Sequence, residues 1–332
     1  GASGVTSPIG LLVMAYGTAS GPDDIERYYT DIRGGREPTP EHLEELKGRY
    51  AAIGSRFPLL EITTRQADGL AAVLNEEAGF ERFRPYLGMK HSPPFVADGV
   101  AKMRADGIER AVGVVMAPHW SGMSVETYVE RVEEALAAEG GPRTSYIRQW
   151  YDRPEFVAFL ASRVREALER LSPEERDGAA VIFSAHSLPV RTLEDGSQRC
   201  LRCDADRCSA ACTYLTQLQD TAMRVSGELG LTQHVTIAWQ SAGRTADPWW
   251  GPPIEDVIGE LAGKGFPAIV VCSAGFVSDH LEILYDLDIE AKELAREAGV
   301  RLERTEMPND DPEFLRAVAA AIRDHVDEED RT

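Results

Sequence analysis

The chain of 332 residues has few cysteines and no long apolar run. Four of its five cysteines fall between positions 200 and 212, so the rest of the chain is nearly without thiols. No apolar stretch approaches the roughly 20 residues of a membrane-spanning helix, which excludes an integral membrane segment. The first residues, GASGVTSPIG, include neither a basic nor a long apolar stretch. We therefore expect no secretory signal and a cytoplasmic protein, in which stable disulfides are uncommon.

Positive charge is also scarce. The chain has 35 Lys and Arg residues against 55 Asp and Glu residues, which gives a formal net charge of -20. Binding of DNA or RNA requires a basic surface, so this balance excludes nucleic acid as a partner. An anionic ligand would need a local basic cleft within a repelling field.

Short apolar runs rich in Val and Ile alternate with helical patterns along the chain. Continuous runs such as AVGVVM and AIVV are typical of parallel strands that are buried on both faces. Four strand–helix units followed by four more predict an α/β protein of two similar domains, each a parallel four-stranded sheet flanked by helices. We place the domains at residues 8–155 and 156–310, and a C-terminal helix at 311–328.

Two predicted strand ends carry side chains suited to acid–base or metal chemistry, and ligands of such sheets bind beyond strand ends. His186 follows the strand in FSAHSLP. It is either a proton acceptor or metal ligand, or an ordinary polar residue at a domain edge. Glu282, Asp286 and Glu290 recur every four residues, which places three carboxylates along one side of a helix. They are either a solvated acidic face or a track of oxygen ligands for a hard cation.

A local group of arginines interrupts the acidic sequence. Arg33, Arg36 and Arg49 lie in the segment YYTDIRGGREPTPEHLEELKGRY. They are either ordinary surface charge or a clamp for carboxylates, which Arg can bind with two hydrogen bonds at once. Tyr16 ends the first predicted strand, and without further context a half-buried core position is expected for it.

Taken in order, eight segments of the chain resemble bacterial ferrochelatases: GLLVMAYGT, YYTDIRGGR, RYAAIG, APHWSGMSVETY, FSAHSLP, WQSAG, DPWWGPP and GFVSDHLEILYDLDIE. Enzymes of this family insert ferrous iron into a porphyrin between two similar Rossmann-like domains, an arrangement known as the chelatase fold. The resemblance implies that His186 and Glu282 are the catalytic pair. It also implies that four side chains meet the substrate iron, namely His186, Glu282, Asp286 and Glu290.

The segments AYGT and DIRGGR further resemble the branch of the family that uses coproporphyrin III. In that branch, a tyrosine at the position of Tyr16 lies over one face of the macrocycle. The resemblance also assigns porphyrin contacts to four more residues: Arg33, Arg49, Tyr50 and Tyr128. Coproporphyrin III has four propionates, which accords with a basic island in an acidic protein. Phe57 departs from the branch, which often has serine there, so that propionate contact is not carried over.

The clustered cysteines lie in a segment, residues 197–213, that lengthens the plain bacterial pattern. Their spacing is C-x2-C-x4-C-x3-C, formed by Cys200, Cys203, Cys208 and Cys212. Zinc sites usually pair two CxxC units across a longer gap, whereas tight runs favour an iron–sulfur cluster. Some ferrochelatases have such an internal segment that binds [2Fe-2S], and the resemblance implies the same cofactor here. Zinc and free or redox-active thiols are the alternatives. Cys272 is expected to be a buried strand residue.

The resemblance therefore implies a coproporphyrin ferrochelatase, a lyase of haem biosynthesis whose substrates are coproporphyrin III and ferrous iron. A protoporphyrin IX ferrochelatase and another tetrapyrrole metal chelatase are alternatives with the same fold. A sensor that binds a tetrapyrrole or an iron–sulfur cluster without catalysis is an alternative of a different class. Contacts with neighbouring enzymes of the haem pathway are expected to be transient.

Overall fold

The computed structural model describes residues 7–203 and 212–332. Residue contacts divide the chain into two compact units. Unit 1 comprises Gly1–Met116, Val125–Trp150 and Asn309–Thr332, and unit 2 comprises Ala117–Ser124 and Tyr151–Pro308. The sequence predicts two continuous domains, residues 8–155 and 156–310, and these ranges stay a prediction. The compact units are discontinuous, because residues 117–124 belong to unit 2 and residues 309–332 to unit 1.

Unit 1 is built on one parallel sheet. Its strands are β1 (Ile9–Ala15), β2 (Phe83–Met89), β3 (Arg110–Val115) and β4 (Arg143–Ile147). They lie in the order β2-β1-β3-β4, and all three neighbouring pairs are parallel. The inner strand β1 is fully buried from Leu11 to Met14, because an apolar run of this kind can be covered on both faces of the sheet.

Helices fill the connections of unit 1. They are α1 (Ile25–Ile32), α2 (Pro40–Ala52), α3 (Leu59–Ala78), α4 (Val96–Ala105) and α5 (Val125–Glu139). A short 3₁₀ turn, Pro22–Asp24, precedes α1. The Thr39 side chain caps α2 by accepting a hydrogen bond from the His42 N–H, with Pro40 at the first helical position.

Unit 2 contains a second parallel sheet and a small hairpin. Its strands are β5 (Ala180–His186), β6 (Val190–Thr192), β7 (Gln198–Cys200), β8 (His234–Gln240), β9 (Ala268–Cys272) and β10 (Arg301–Arg304). The parallel sheet has the order β10-β9-β5-β8, whereas β6 and β7 pair antiparallel. The hairpin is not predicted by the sequence pattern, since its three-residue strands are too short to show a period.

The helices of unit 2 are α6 (Pro154–Glu169), α7 (Pro173–Gly178), α8 (Thr213–Leu229), α9 (Ile254–Gly263), α10 (Leu281–Leu284) and α11 (Lys292–Glu297). A π-helical stretch, Asp286–Ala291, lies between the last two. Cys272 ends β9 and is buried, as predicted, and burial raises the pKa of its thiol to about 12.

The last helix, α12 (Pro312–Arg331), belongs to unit 1. Asp311 caps it by accepting a hydrogen bond from the Glu313 N–H, at the start of the C-terminal helix that the sequence predicts. The two parallel four-stranded sheets flanked by helices confirm the predicted fold class. In the described part of the chain, no helix has both the length and the apolar character needed to cross a bilayer.

Candidate functional site

His186 lies at the carboxyl end of β5, where it is in register with Gln240 of β8. Its Nδ1–H donates a hydrogen bond to the Ser187 carbonyl oxygen. Its Nε2 lies 3.4 Å from Oε1 of Glu282. One ring nitrogen is thus held by the main chain, and the other faces a carboxylate. The structure brings together the two residues that the resemblance treats as a pair.

Glu282 lies between two histidines, because its other oxygen is 3.4 Å from Nε2 of His280. Burial raises the pKa of Glu282, but the charges and hydrogen bonds of the two histidines outweigh burial and hold that pKa well below its usual range. Burial likewise lowers the pKa of His186, but the Glu282 carboxylate outweighs it and raises the pKa to about 9. Near neutral pH, the site therefore holds an ionised carboxylate and a protonated imidazole.

Asp286 is the next carboxylate along the chain, and Ser241 holds it in place. The Ser241 hydroxyl donates to Oδ2 of Asp286 over 2.9 Å. Ser241 follows β8 with a φ of 61°, a left-handed conformation that is uncommon outside glycine. Such backbone strain is often found at functional sites.

The regular α-helix predicted for the three carboxylates is wrong. α10 ends at Leu284, and the Glu290 N–H then bonds to the Tyr285 carbonyl oxygen over 2.9 Å, which is a π-helical bond. Glu282 and Asp286 are half-buried, whereas Glu290 is exposed. The exposure of Glu290 agrees with either a solvated acidic face or the outer end of an iron path, and the other two carboxylates occupy structured positions. Within the ranges that the structure describes, no three His, Cys, Asp or Glu side chains assemble a resident metal site.

In unit 1, Tyr16 is 42% exposed, so the core position expected from its strand alone is wrong. Its ring meets His91 edge-on with centroids 4.6 Å apart, and Tyr28 lies 6.5 Å away. Nδ1 of His91 in turn lies 2.7 Å from a carboxylate oxygen of Asp31. A packed support thus presents an exposed phenol at the end of β1.

The four other porphyrin contacts implied by the resemblance also lie in unit 1. Arg33 is half-buried, and its Nε has no hydrogen-bond partner among residues 7–203 and 212–332. Arg49 is 37% exposed and bonds Glu45 over 2.9 Å. Both arginines have surface available to an anion. In contrast, Tyr50 and Tyr128 are buried side chains.

Phe57 packs directly on one of these tyrosines. Its ring stacks on that of Tyr50, with centroids 4.6 Å apart and planes inclined by 21°. The Tyr50 hydroxyl lies 3.5 Å from the Thr18 hydroxyl. Phe57 thus serves as an apolar cover at a position where the resemblance leads one to expect a polar contact.

The ferrochelatase family model matches residues 8–326 of this chain. The chain belongs to the ferrochelatase family. It is 45% identical over 319 residues to the coproporphyrin III ferrochelatase of Geobacillus kaustophilus (strain HTA426), with 96% of each chain covered. The coproporphyrin III ferrochelatase of Bacillus subtilis (strain 168) is 43% identical over 315 residues, which cover 95% of this chain and 96% of that protein.

A solved structure, SirB from Bacillus subtilis with Fe3+, resembles this ferrochelatase-family chain with a TM-score of 0.54 at 12% sequence identity. The likeness covers 95% of this chain and 94% of that one. At this level of identity, the comparison supports the fold alone.

Sequence reasoning missed a buried glutamine that ties the strand ends of this ferrochelatase-family site together. The Gln240 side-chain oxygen accepts hydrogen bonds from the hydroxyls of Ser184 over 2.7 Å and Ser273 over 2.5 Å. Its amide nitrogen donates to the Glu282 carbonyl oxygen over 3.4 Å. Polar residues in WQSAG and VVCSAG, directly after apolar strands, were the signal available in the sequence. Ser241 was missed because its partner, Asp286, lies 45 residues further along the chain. His280 is two residues from Glu282, and the sequence does not show that its ring turns toward that carboxylate.

The structure places two of the four clustered cysteines together in this ferrochelatase-family chain. Cys200 and Cys212 are buried free thiols with sulfurs 3.4 Å apart. The hydrogen bond from the Cys200 thiol lowers the pKa of Cys212 to about 6. Cys203 forms a disulfide and is therefore not a free thiol in this structure. Cys208 lies outside the described residues.

Proposed function

We propose that this protein inserts ferrous iron into coproporphyrin III and so forms iron coproporphyrin III, or coproheme, in haem biosynthesis. The observation that carries the proposal is the contact between His186 and Glu282 at the carboxyl edge of the unit 2 sheet. The choice of porphyrin rests on the names of the relatives, which are coproporphyrin III ferrochelatases aligned over nearly the whole chain.

The charge state of the pair suggests how proton transfer depends on iron. Insertion exchanges one Fe2+ for two pyrrole protons, so the site must accept protons. His186 is protonated in the free site because Glu282 raises its pKa. A ferrous ion at Glu282 offsets that carboxylate charge and lowers the pKa of His186. The imidazole then releases its proton to solvent, and its Nε2 can accept a proton from a pyrrole nitrogen and pass it to solvent before it accepts the second.

The carboxylates that follow suit a path for hydrated iron. Glu290 is exposed, Asp286 is half-buried and hydrogen-bonded to Ser241, and Glu282 contacts His186. Oxygen ligands that differ in exposure can replace water molecules of a divalent cation in steps. We assign Glu282 to the reaction itself and the other two carboxylates to iron supply.

Residues of unit 1 supply the proposed porphyrin contacts. Arg33 and Arg49 suit propionates, because guanidinium groups form charge-assisted hydrogen bonds with carboxylates. Tyr16 presents an exposed ring for the macrocycle face. The roles of Tyr50 and Tyr128 stay predictions.

We further propose that Cys200, Cys203, Cys208 and Cys212 hold a [2Fe-2S] cluster, with zinc as the alternative. Two thiolates on one tetrahedral metal lie roughly 3.8 Å apart for metal–sulfur bonds of about 2.3 Å, and the Cys200 and Cys212 sulfurs lie 3.4 Å apart. The hydrogen bond to Cys212 and burial raise the pKa of the Cys200 thiol, and the nearby indole N–H of Trp250 offsets only part of this rise, so a bound metal would have to displace the Cys200 proton. The cluster requires Cys203 to be reduced. When bound, the cluster would supply metal–thiolate bonds that constrain the cysteine segment. A redox role is not required, because iron enters and leaves the reaction as Fe2+.

An anaerobic assay with Fe2+ and coproporphyrin III tests the function. The wild-type protein should form iron coproporphyrin III, and His186→Ala should bind the porphyrin but lose most turnover. His234→Ala is the matched control, because His234 is an exposed histidine of the same unit. Porphyrin binding by the wild type without metallation would support a sensor instead. Full activity of His186→Ala would remove His186 from the mechanism.

A cytoplasmic location and transient contacts with neighbouring haem-pathway enzymes stay predictions. Coimmunoprecipitation from lysate after chemical crosslinking tests the second, and recovery of no enzyme of the pathway would contradict it.

A further inference from the structure

A buried tyrosine of α8 holds the main chain of His186. The Tyr214 hydroxyl donates a hydrogen bond to the His186 carbonyl oxygen over 2.8 Å. Tyr214 is only 7% exposed. Its ring packs against Trp239 at 5.4 Å and His119 at 6.4 Å between centroids. Packing on two sides fixes the phenol, so the hydroxyl has a set position relative to the end of β5.

This hydrogen bond acts on the peptide group between His186 and Ser187, which precedes the peptide whose carbonyl oxygen accepts the hydrogen bond from the imidazole. The carbonyl of His186 and the N–H of Ser187 belong to one planar peptide. That N–H donates to the Gln240 carbonyl oxygen over 2.7 Å. The ring of His186 in turn bonds the Ser187 carbonyl oxygen. Tyr214 and Gln240 therefore hold the same peptide from two sides, and a rotation of that peptide would move the imidazole away from Glu282.

The same tyrosine stands next to the cysteine pair. Tyr214 is the second residue of α8, and Cys212 is the N-cap of that helix. The Cys212 sulfur meets that of Cys200, the last residue of β7. Cys200 lies opposite Val190 of β6, four residues after His186. The two thiols thus join the start of α8 to the hairpin that follows His186.

We propose that Tyr214 is a positioning residue for His186, and that the Cys200–Cys212 pair sets the place of Tyr214. The tyrosine contacts the reaction only through the histidine. A metal bound by the two thiols, or its loss, would shift the first turn of α8 and, through this phenol, the imidazole. The catalytic consequence rests on the proposed function, whereas the structural coupling does not.

Tyr214→Phe tests the positioning role, because it removes one hydroxyl and keeps the packed ring. In metallation assays, kcat should fall about three- to ten-fold, the effect expected for one hydrogen bond. KM for coproporphyrin III and for iron, and the metal and sulfide content, should not change. The matched control is Tyr86→Phe, which removes the hydroxyl of a buried tyrosine that donates to Asp106 over 2.7 Å in unit 1. This control should keep the wild-type kcat.

Hydrogen exchange measured by mass spectrometry gives a readout that does not depend on activity. The peptide that covers residues 184–190 should exchange faster in Tyr214→Phe than in the wild type or in Tyr86→Phe. Unchanged exchange together with a kcat equal to that of the control would overturn the proposal. A wild-type protein that does not metallate would refute the proposed function, and the exchange result would still decide the role of Tyr214.

A double-mutant cycle tests the link to the thiols. Cys212→Ser should speed exchange in the 184–190 peptide of the wild type, but add little in Tyr214→Phe. Cys200→Ser provides the same cycle from the hairpin side if the first variant does not fold. Effects that add fully in both cycles would show that the thiols do not act through Tyr214.

Discussion

Glu282→Gln removes the charge that keeps His186 protonated while leaving a side chain of nearly the same shape. The pKa of His186 is about 9, against an ordinary value of 6.5. A shift of this size corresponds to about 3 kcal/mol if it is fully realised. The side chains of His186 and Glu282 are 37% and 31% exposed, so solvent screens the pair. We therefore expect a contribution to stability of about 1–2 kcal/mol.

The sign of the pH dependence follows from the direction of the shift. The folded state binds the His186 proton more tightly than the unfolded state, so the stabilisation is complete below about pH 6.5. It is lost as the pH rises toward 9, the pKa of His186 in the folded protein. Across this window, the free energy of unfolding should fall by about 1–2 kcal/mol more in the wild type than in Glu282→Gln.

Urea unfolding followed by circular dichroism across that pH window measures this difference. Glu290→Gln is the matched control, since Glu290 is an exposed carboxylate of the same segment. It should show the wild-type pH dependence. Parallel curves for the wild type and Glu282→Gln would refute the ion pair. Glu282→Gln should also depress kcat severely, whereas Glu290→Gln should mainly raise KM for iron, and equal small effects would favour a solvated acidic face.

Other parts of the structure give three further predictions. Arg49→Ala should weaken the binding of coproporphyrin III by about 1 kcal/mol more than the binding of protoporphyrin IX in fluorescence titrations. Arg65→Ala, which breaks a similar ion pair with Glu61, should change the affinity for neither porphyrin. Equal weakening of both porphyrins by Arg49→Ala would contradict a contact between Arg49 and a propionate of coproporphyrin III. Cys200→Ser should lower bound iron and acid-labile sulfide, and Cys272→Ser should not; one zinc and no sulfide in the wild type would show that the alternative holds. Burial lowers the pKa of His119 to about 3. As the pH falls from 6.5 to about 4, the free energy of unfolding of the wild type should therefore decrease by about 3 kcal/mol because of this group. An equal decrease in His119→Gln would argue against a buried neutral imidazole.

The fold could be predicted because its strands are buried on both faces. Runs such as Leu11–Met14 and Ile269–Cys272 must be apolar throughout, and this pattern stands out in the sequence. The hairpin of Val190–Thr192 and Gln198–Cys200 has no such signal, because strands of three residues cannot show an alternation. The π-helical stretch Asp286–Ala291 is also invisible, since one extra residue in a turn leaves the apolar spacing nearly unchanged.

The candidate site was predictable only where chemistry coincides with a strand end. His186 stands out for this reason, and the resemblance paired it with Glu282. Tyr214 had no comparable signal, because its importance comes from a hydrogen bond to His186, 28 residues earlier, that the tertiary fold makes possible. His280 lies two residues before Glu282, but the sequence does not show that its ring turns toward that carboxylate. For Tyr16, the strand pattern predicted a core position that is wrong, because the pattern does not show that the residue at the end of the strand projects beyond the sheet.

A competition between two porphyrins for limiting iron tests the proposed function most directly. The wild-type protein is mixed anaerobically with equal concentrations of coproporphyrin III and protoporphyrin IX, Fe2+ is added in substoichiometric amount, and the two metallated products are quantified by mass spectrometry. We predict that iron coproporphyrin III forms in clear excess and that His186→Ala forms little of either product. An excess of iron protoporphyrin IX, or no enzymatic product with either porphyrin, would contradict the proposed function.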